Sequence, residues 1–401
     1  MSAADRIAER VAGLGDGLVA LRRDLHANPE PSWEEHRTTR VLRDRLAAAG
    51  IDSEVGPTGT GAIATIGHSG PIVALRGDID ALRMHDTKEV PYRSTVDGVC
   101  HACGHDLHAT AVVGAAIALA PELAEPGRGR VRLLLQPAEE AVPGGARTLV
   151  EAGLVDDVAA VFALHSDPSR PVGTIGVAPG PITSAADQLE IRLFGPGGHT
   201  GRPHETVDLA HVAARVAVDL PMGMNRLSDP RDGLNLTFGA IQVGEAPNVI
   251  ASEAVLLGSL RASGRGAWEA APAHLHRLLA AIVEPFGGTW ELVHRPGAPP
   301  IDNDPWAVAA VERAASAVLG AEGVGSTDQS AGGEDFSWYG EKARLGYFRL
   351  GVWDQGRMRT DLHAGSFDVH EDAICLGARI LAGTALEALD DLGSVGEDGR
   401  P

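Results

Sequence analysis

The stretch Val99-Cys100-His101-Ala102-Cys103-Gly104-His105-Asp106-Leu107-His108 sets three imidazoles and two thiols side by side in a chain with only three cysteines. Thiolate and imidazole are the usual donors for borderline divalent metals such as zinc. An apolar run at 111–120 follows, so the donors precede a helix that reaches about Leu123 and that Asp106 could cap. Strand-like runs lie around this segment at 62–66, 72–76, 131–135 and 159–164, with a short helix at 146–152. Such alternation predicts a mainly parallel α/β sheet with helices on both faces. Asp78 and Asp80 follow the strand at 72–76, Glu139 and Glu140 the one at 131–135, and His165 the one at 159–164. Sites in open α/β sheets form just beyond the carboxyl ends of strands, so these groups should converge. His363 comes from a distant loop and could complete the set.

Farther out, Ile7, Val11, Leu14, Leu18 and Leu21 recur at helical spacing, and a second helix is expected at 36–49. After about Ser184 the pattern changes. Strand, helix, strand, strand, helix, strand follow one another through 188–293, the ferredoxin-like order. The proline- and glycine-rich Pro296-Gly297-Ala298-Pro299-Pro300 marks the return. The expected organisation is one domain from 1–183 and 298–401, interrupted by an α+β insertion at 184–297. Helices at 305–319 and 371–389 flank a last strand at 344–350.

A net charge of −20 argues against nucleic acid and anionic membranes as partners. The apolar run at 111–120 is too short to span a bilayer, and the charged start lacks the apolar core of a signal peptide. Three cysteines cannot form a paired framework, which points to a cytoplasmic location.

Each candidate has a plainer rival. Cys100 and Cys103 form a C-x-x-C that a redox protein could use. Cys100 reads better as a buried apolar residue, and Cys375 as core. Asp80 could cap a helix or orient a ligating imidazole. His165 could be an interior histidine, and His101 and His108 supporting or surface groups. The adjacent side chains of Glu139 and Glu140 point apart, so one can bind metal while the other acts as a base. A non-catalytic metal-dependent binding protein would need the ligands but not the glutamate of this pair that acts as base.

Seven pieces resemble the di-metal aminoacylase/carboxypeptidase family, in its branch of hippurate, auxin-conjugate and N-acyl-amino-acid amidohydrolases. They are Leu25-His26-Ala27-Asn28-Pro29-Glu30, Arg76-Gly77-Asp78-Ile79-Asp80-Ala81-Leu82, His101-Ala102-Cys103-Gly104-His105-Asp106, Gln136-Pro137-Ala138-Glu139-Glu140, Gly197-Gly198-His199, Gly333-Glu334-Asp335-Phe336 and His363. The resemblance implies ligands at Cys103, His105, Glu140, His165 and His363 for two divalent ions: zinc, manganese, cobalt or nickel. It implies a general base at Glu139, beside Asp80 as the residue orienting a ligating imidazole, and hydrolysis of N-acyl amino acids or short peptides. Dipeptidase, carboxypeptidase and carbamoyl-amide hydrolysis would use the same core. It also implies that the insertion is a lid forming a homodimer, with His199 acting across the interface. Asn248 and Arg261 would then hold the substrate carboxylate, although alone they read as a turn residue and a solvated strand end. Cys100, Ser166-Asp167-Pro168 and Ala364-Gly365-Ser366-Phe367 depart from the family pattern and leave acyl specificity open.

Overall fold

The computed structural model describes residues 1–356 and 358–397. The chain divides into two compact units: residues 1–180 with 303–328 and the segment from Trp338 on, and residues 181–302 with 329–337. The second unit thus takes in a short stretch well outside 184–297.

The first unit opens with α1 (Ala3–Ala27), whose capping box pairs the Ser2 hydroxyl with the Asp5 N–H and the Asp5 carboxylate with the Ser2 N–H. It continues through α2 (His36–Ala47), β1 (Ser53–Val55), β2 (Ala62–Ile66), β3 (Ile72–Asp78) and α3 (His105–Leu119). Next come β4 (Arg130–Gln136), α4 (Gly145–Glu151), β5 (Ala160–Pro171) and β6 (Ile175–Gly176). The second unit contains β7 (Ala185–Phe194), α5 (Leu209–Leu227), β8 (Asn235–Val243), β9 (Glu253–Ala262), α6 (Arg265–Val283) and β10 (Thr289–Ala298). The chain then returns to the first unit through α7 (Pro305–Leu319), β11 (Val324–Gly325), β12 (Arg344–Trp353) and α8 (Asp372–Glu397).

The large sheet runs β1-β2-β4-β3-β5-β12-β6-β11. Its centre, β4-β3-β5-β12, is parallel, while β1-β2, β2-β4 and β12-β6 pair antiparallel. Every residue of β3 is buried, as a central parallel strand requires. α3 packs between α1 and α8 and lies against β3. Its alanines and Gly114 allow the close approach: a Cβ on Gly114 would sit 2.8 Å from Leu18 Cδ1. Each fully buried leucine there, such as Leu18 or Leu107, contributes roughly 1.5–3 kcal/mol. The segment His105–Leu123 has the length and apolarity of a membrane span, and 83% of it is buried inside the protein. Its length exceeds that of the apolar run because helix continuity, not only side-chain polarity, sets it.

Two local expectations fail. Asp106 does not cap α3: the N-cap is Gly104, without a side-chain bond. The Asp106 carboxylate instead meets Arg22 Nε and His26 Nδ1, each at 2.7 Å, because its burial demands a charged partner. β5 does not stop before His165, because its ladder with β12 continues to the Asp167–Gly351 pair.

The sheet of the second unit runs β8-β9-β7-β10, all antiparallel. With α5 and α6 this is the ferredoxin-like arrangement. One sheet face and the apolar stripes of both helices form its core, around Leu189, Ile191, Leu193, Val216, Leu256 and Leu275.

Candidate metal centre

The centre belongs to the first unit. β3 delivers Asp78 at its last position and Asp80 just after it. Gly104, at φ +91°, turns the chain so that His105 opens α3. After β4, Ala138 adopts φ +53° and is followed by Glu139 and Glu140. His165 projects from β5. His363 comes from the loop before α8 and itself adopts φ +58°. Left-handed conformations are uncommon for non-glycine residues and gather where structure is imposed for function.

Among the described residues, the groups with donor atoms within 4.8 Å of one another include Cys103–His105–His165, Cys103–Glu140–His363 and His105–Glu139–Glu140. The first two share the Cys103 sulfur. The expected ligands are therefore gathered in one place.

Neighbours set the direction of each imidazole. His105 Nδ1 lies 3.0 Å from the Asp80 carbonyl and 3.1 Å from Asp80 Oδ1, both acceptors, so Nδ1 carries the proton. Its Nε2 is buried and, among the described residues, has no hydrogen-bond partner. That nitrogen lies 3.7 Å from Asp78 Oδ2, 3.9 Å from Glu139 Oε2 and 4.0 Å from Glu140 Oε1. Asp80 Oδ2 accepts the Ser32 hydroxyl (2.7 Å) and the Glu140 N–H (3.0 Å). His165 Nδ1 donates to the Ser166 carbonyl at 2.8 Å, leaving its Nε2 3.4 Å from the Cys103 sulfur. His108, expected as a supporting or surface group, is buried. Ser166 donates its N–H to His108 Nε2 (2.9 Å), so Nδ1 is the donor to Asp78 Oδ1 at 2.7 Å.

The charge balance calls for a cation. Burial opposes ionisation of Asp78, but Arg76, His105 and His108 hold its carboxyl well below the usual range. Burial also disfavours charge on His105, yet Asp78, Cys103 and Asp80 outweigh it and raise His105 well above its ordinary value. The contacts of His363 with Cys103 and Glu140 push it up to about 10. Burial and the adjacent His108 hold His165 low, hence neutral, as a ligating imidazole must be. The Cys103 thiol is raised by burial. A buried nitrogen with no hydrogen-bond partner among the described residues, set among carboxylates and a thiol, fits a divalent metal.

The remaining expected residues lie in the second unit. Gly198–His199 pairs with Val249–Ile250, and the Thr200 N–H meets the Asn248 carbonyl at 3.4 Å, so His199 and Asn248 are neighbours. Both are exposed. His199 Nδ1 accepts the Gly201 N–H (2.9 Å), leaving Nε2–H as a donor. Arg261 lies near the far end of β9, its Nη1 3.4 Å from the Ala331 carbonyl. The structure does not bring it near His199: the strand from Glu253 to Arg261 covers about 27 Å at ~3.4 Å per residue.

The model of peptidase family M20/M25/M40 matches residues 74–387. The chain belongs to this family. Its M20-type core makes it a metal-dependent hydrolase. It is 36% identical to the N-acetylcysteine deacetylase of Bacillus subtilis (strain 168), over 94% of this chain and 97% of that one. A Rhodococcus jostii (strain RHA1) protein bearing a glutamate–cysteine ligase name is 42% identical over 93% of this chain, but the chain spans only 47% of that relative's length. Among solved structures, the B. subtilis YXEP protein, described as a dinuclear metal-binding peptidase of the M20 family, superposes with a TM-score of 0.81 at 32% identity. That match covers 94% of this chain and 99% of the other.

Proposed function

We propose that this protein hydrolyses the amide bond of N-acyl amino acids. The observation that carries the reading is the convergence of Cys103, His105, Glu140, His165 and His363 beside Glu139, with His105 Nε2 lacking a hydrogen-bond partner among the described residues. The similarity to an N-acetylcysteine deacetylase supports the substrate class. The two triads sharing Cys103 would hold two ions, with zinc, manganese, cobalt and nickel all suited to the donors. When bound, such ions supply Lewis acidity toward the amide carbonyl and lower the pKa of water.

Glu139 takes the proton of the attacking water and delivers it to the departing amine. Asp80 and the Ser166 carbonyl hold His105 and His165 in the tautomers that present Nε2. Asn248 and Arg261 hold the substrate carboxylate, the latter through its guanidinium fork. The span of β9 keeps these two from meeting one small substrate within a single chain. That separation supports a homodimer through the lid, with His199 and Asn248 serving the partner's site. A cytoplasmic location accords with the three unpaired cysteines. The test is a screen of N-acyl amino acids and dipeptides with metal-reconstituted protein. Turnover confined to dipeptides would overturn the reading.

A further inference from the structure

Glu35 is fully buried at the N-cap position of α2, yet makes no capping bond there. Glu30 caps that helix instead, its two oxygens accepting the N–H groups of Arg37 (2.9 Å) and Thr38 (2.7 Å). This leaves Glu35 for another task. Its Oε1 accepts the N–H of Trp33 at 2.9 Å and that of Ala138 at 2.8 Å, the latter 103 positions away in the chain.

Both donors are unusual. Among the described residues, the non-glycine positions with positive φ are Trp33 (+70°), Ala138 (+53°) and His363 (+58°). Side-chain-bearing residues persist in that region only where their surroundings impose it. One carboxylate oxygen therefore holds two of the three. Ala138 is the residue from which Glu139 and Glu140 depart. The same short loop sends the Ser32 hydroxyl to Asp80, which also accepts the Glu140 N–H.

We propose that Glu35 is a positioning residue: by holding the Ala138 N–H it fixes the left-handed turn that aims Glu139 at substrate and Glu140 at metal. The proposal rests on the roles given above to those two glutamates. A glutamate that merely filled space would affect stability and leave catalysis and metal affinity alone. The clamp needs an acceptor oxygen rather than a charge, and burial already pushes the Glu35 carboxyl above its ordinary value. The Glu35→Gln amide oxygen can therefore replace it.

The test compares metal-loaded wild type, Glu35→Ala and Glu35→Gln in hydrolysis of an N-acetyl amino acid. Separately, Mn2+ affinity is measured by calorimetry and unfolding by thermal melting. Glu35→Ala should lose about 10–100-fold in kcat with KM little changed, and should bind Mn2+ more weakly, as losses in a ligand's supporting contacts do. Glu35→Gln should restore most of both. A folded Glu35→Ala with wild-type kcat and Mn2+ affinity overturns the proposal, and so does a Glu35→Gln that falls as far as alanine. Should the alanine variant fail to fold, Glu35→Asp, one methylene too short to span both N–H groups, replaces it under the same criteria. A wild type that binds Mn2+ but does not cleave the N-acetyl amino acid sinks the N-acyl amino acid reading, while the Mn2+ affinities still decide on Glu35.

Discussion

His105 donates its Nδ1–H to Asp80, 3.1 Å from Oδ1, and thereby turns Nε2 toward Asp78, Glu139 and Glu140. Asp80 is buried and its other oxygen accepts the Ser32 hydroxyl and the Glu140 N–H, so it holds both the imidazole and the backbone of the glutamate proposed as ligands. Asp80→Asn keeps the volume but misplaces a donor against one of those contacts. Metal affinity should fall about 10–100-fold, as measured by calorimetric titration. Unchanged affinity would mean that His105 holds its tautomer without Asp80.

The two adjacent glutamates should separate cleanly. Glu139→Gln should keep its metal and lose about 10²–10⁴ in kcat. Glu140→Gln should lose metal first, since it shares a donor group with Cys103 and His363. Elemental analysis beside steady-state kinetics reads both, and two variants alike in both measurements would remove the assignment.

Metal binding should depend steeply on pH. His105 and His363 are raised, the latter to about 10, so both carry protons at neutral pH when no cation is present. Loading a divalent ion expels those protons, and affinity must therefore strengthen as pH rises from 6 to 8. The expected slope is about tenfold per pH unit for each proton released. Calorimetry in buffers of different ionisation enthalpy counts the protons directly; a pH-independent affinity would contradict the charge balance of the site.

If His199 serves the neighbouring subunit, two inactive proteins should rescue each other. Mixing His199→Ala with Glu139→Gln places one hybrid site with both groups intact, so part of the activity should return. Demonstrated subunit exchange without recovery would confine His199 to its own chain.

Arg22 is buried against Asp106 and Asp368, at 2.7 Å from each. Arg22→Ala removes the arginine partner of the buried Asp106 carboxylate and should cost about 3–5 kcal/mol in denaturant unfolding. Burial opposes ionisation of Asp106, but Arg22 and His26 hold it well below the usual carboxylate range. Its contribution is therefore complete above the unfolded carboxylate pKa of about 3.9 and is lost as pH falls toward the depressed value. Without Arg22, Asp106 should protonate at a higher pH and acid unfolding should begin earlier. An unchanged acid transition would assign the pairing no stabilising role.

Much of this arrangement was legible in the sequence because metal chemistry admits few donor types. Cys103, His105 and Glu140 stand after strands or at a helix start, where side chains of an α/β sheet meet. The period change after Ser184 likewise announced a ferredoxin-like unit, since strand and helix periods of 2.0 and 3.6 cannot be confused over that length. Local signals also misled. Asp106 has the composition of a helix cap, but a buried arginine from α1 claims it. β5 looked complete at Leu164, but the partner strand β12 extends it past His165.

What the sequence alone determined is the set of chemical groups and the order of elements, because both follow from residue type and local periodicity. What only the tertiary structure decided is how those groups are held. The proton on Nδ1 of His105 depends on Asp80, the lone pair of His108 on the Ser166 N–H, and the turn before Glu139 on Glu35. Each is a hydrogen bond between residues 25 or more positions apart, 103 in the case of Glu35 and Ala138. Such bonds leave no periodic trace in the chain, because burial and direction arise only when distant segments pack together.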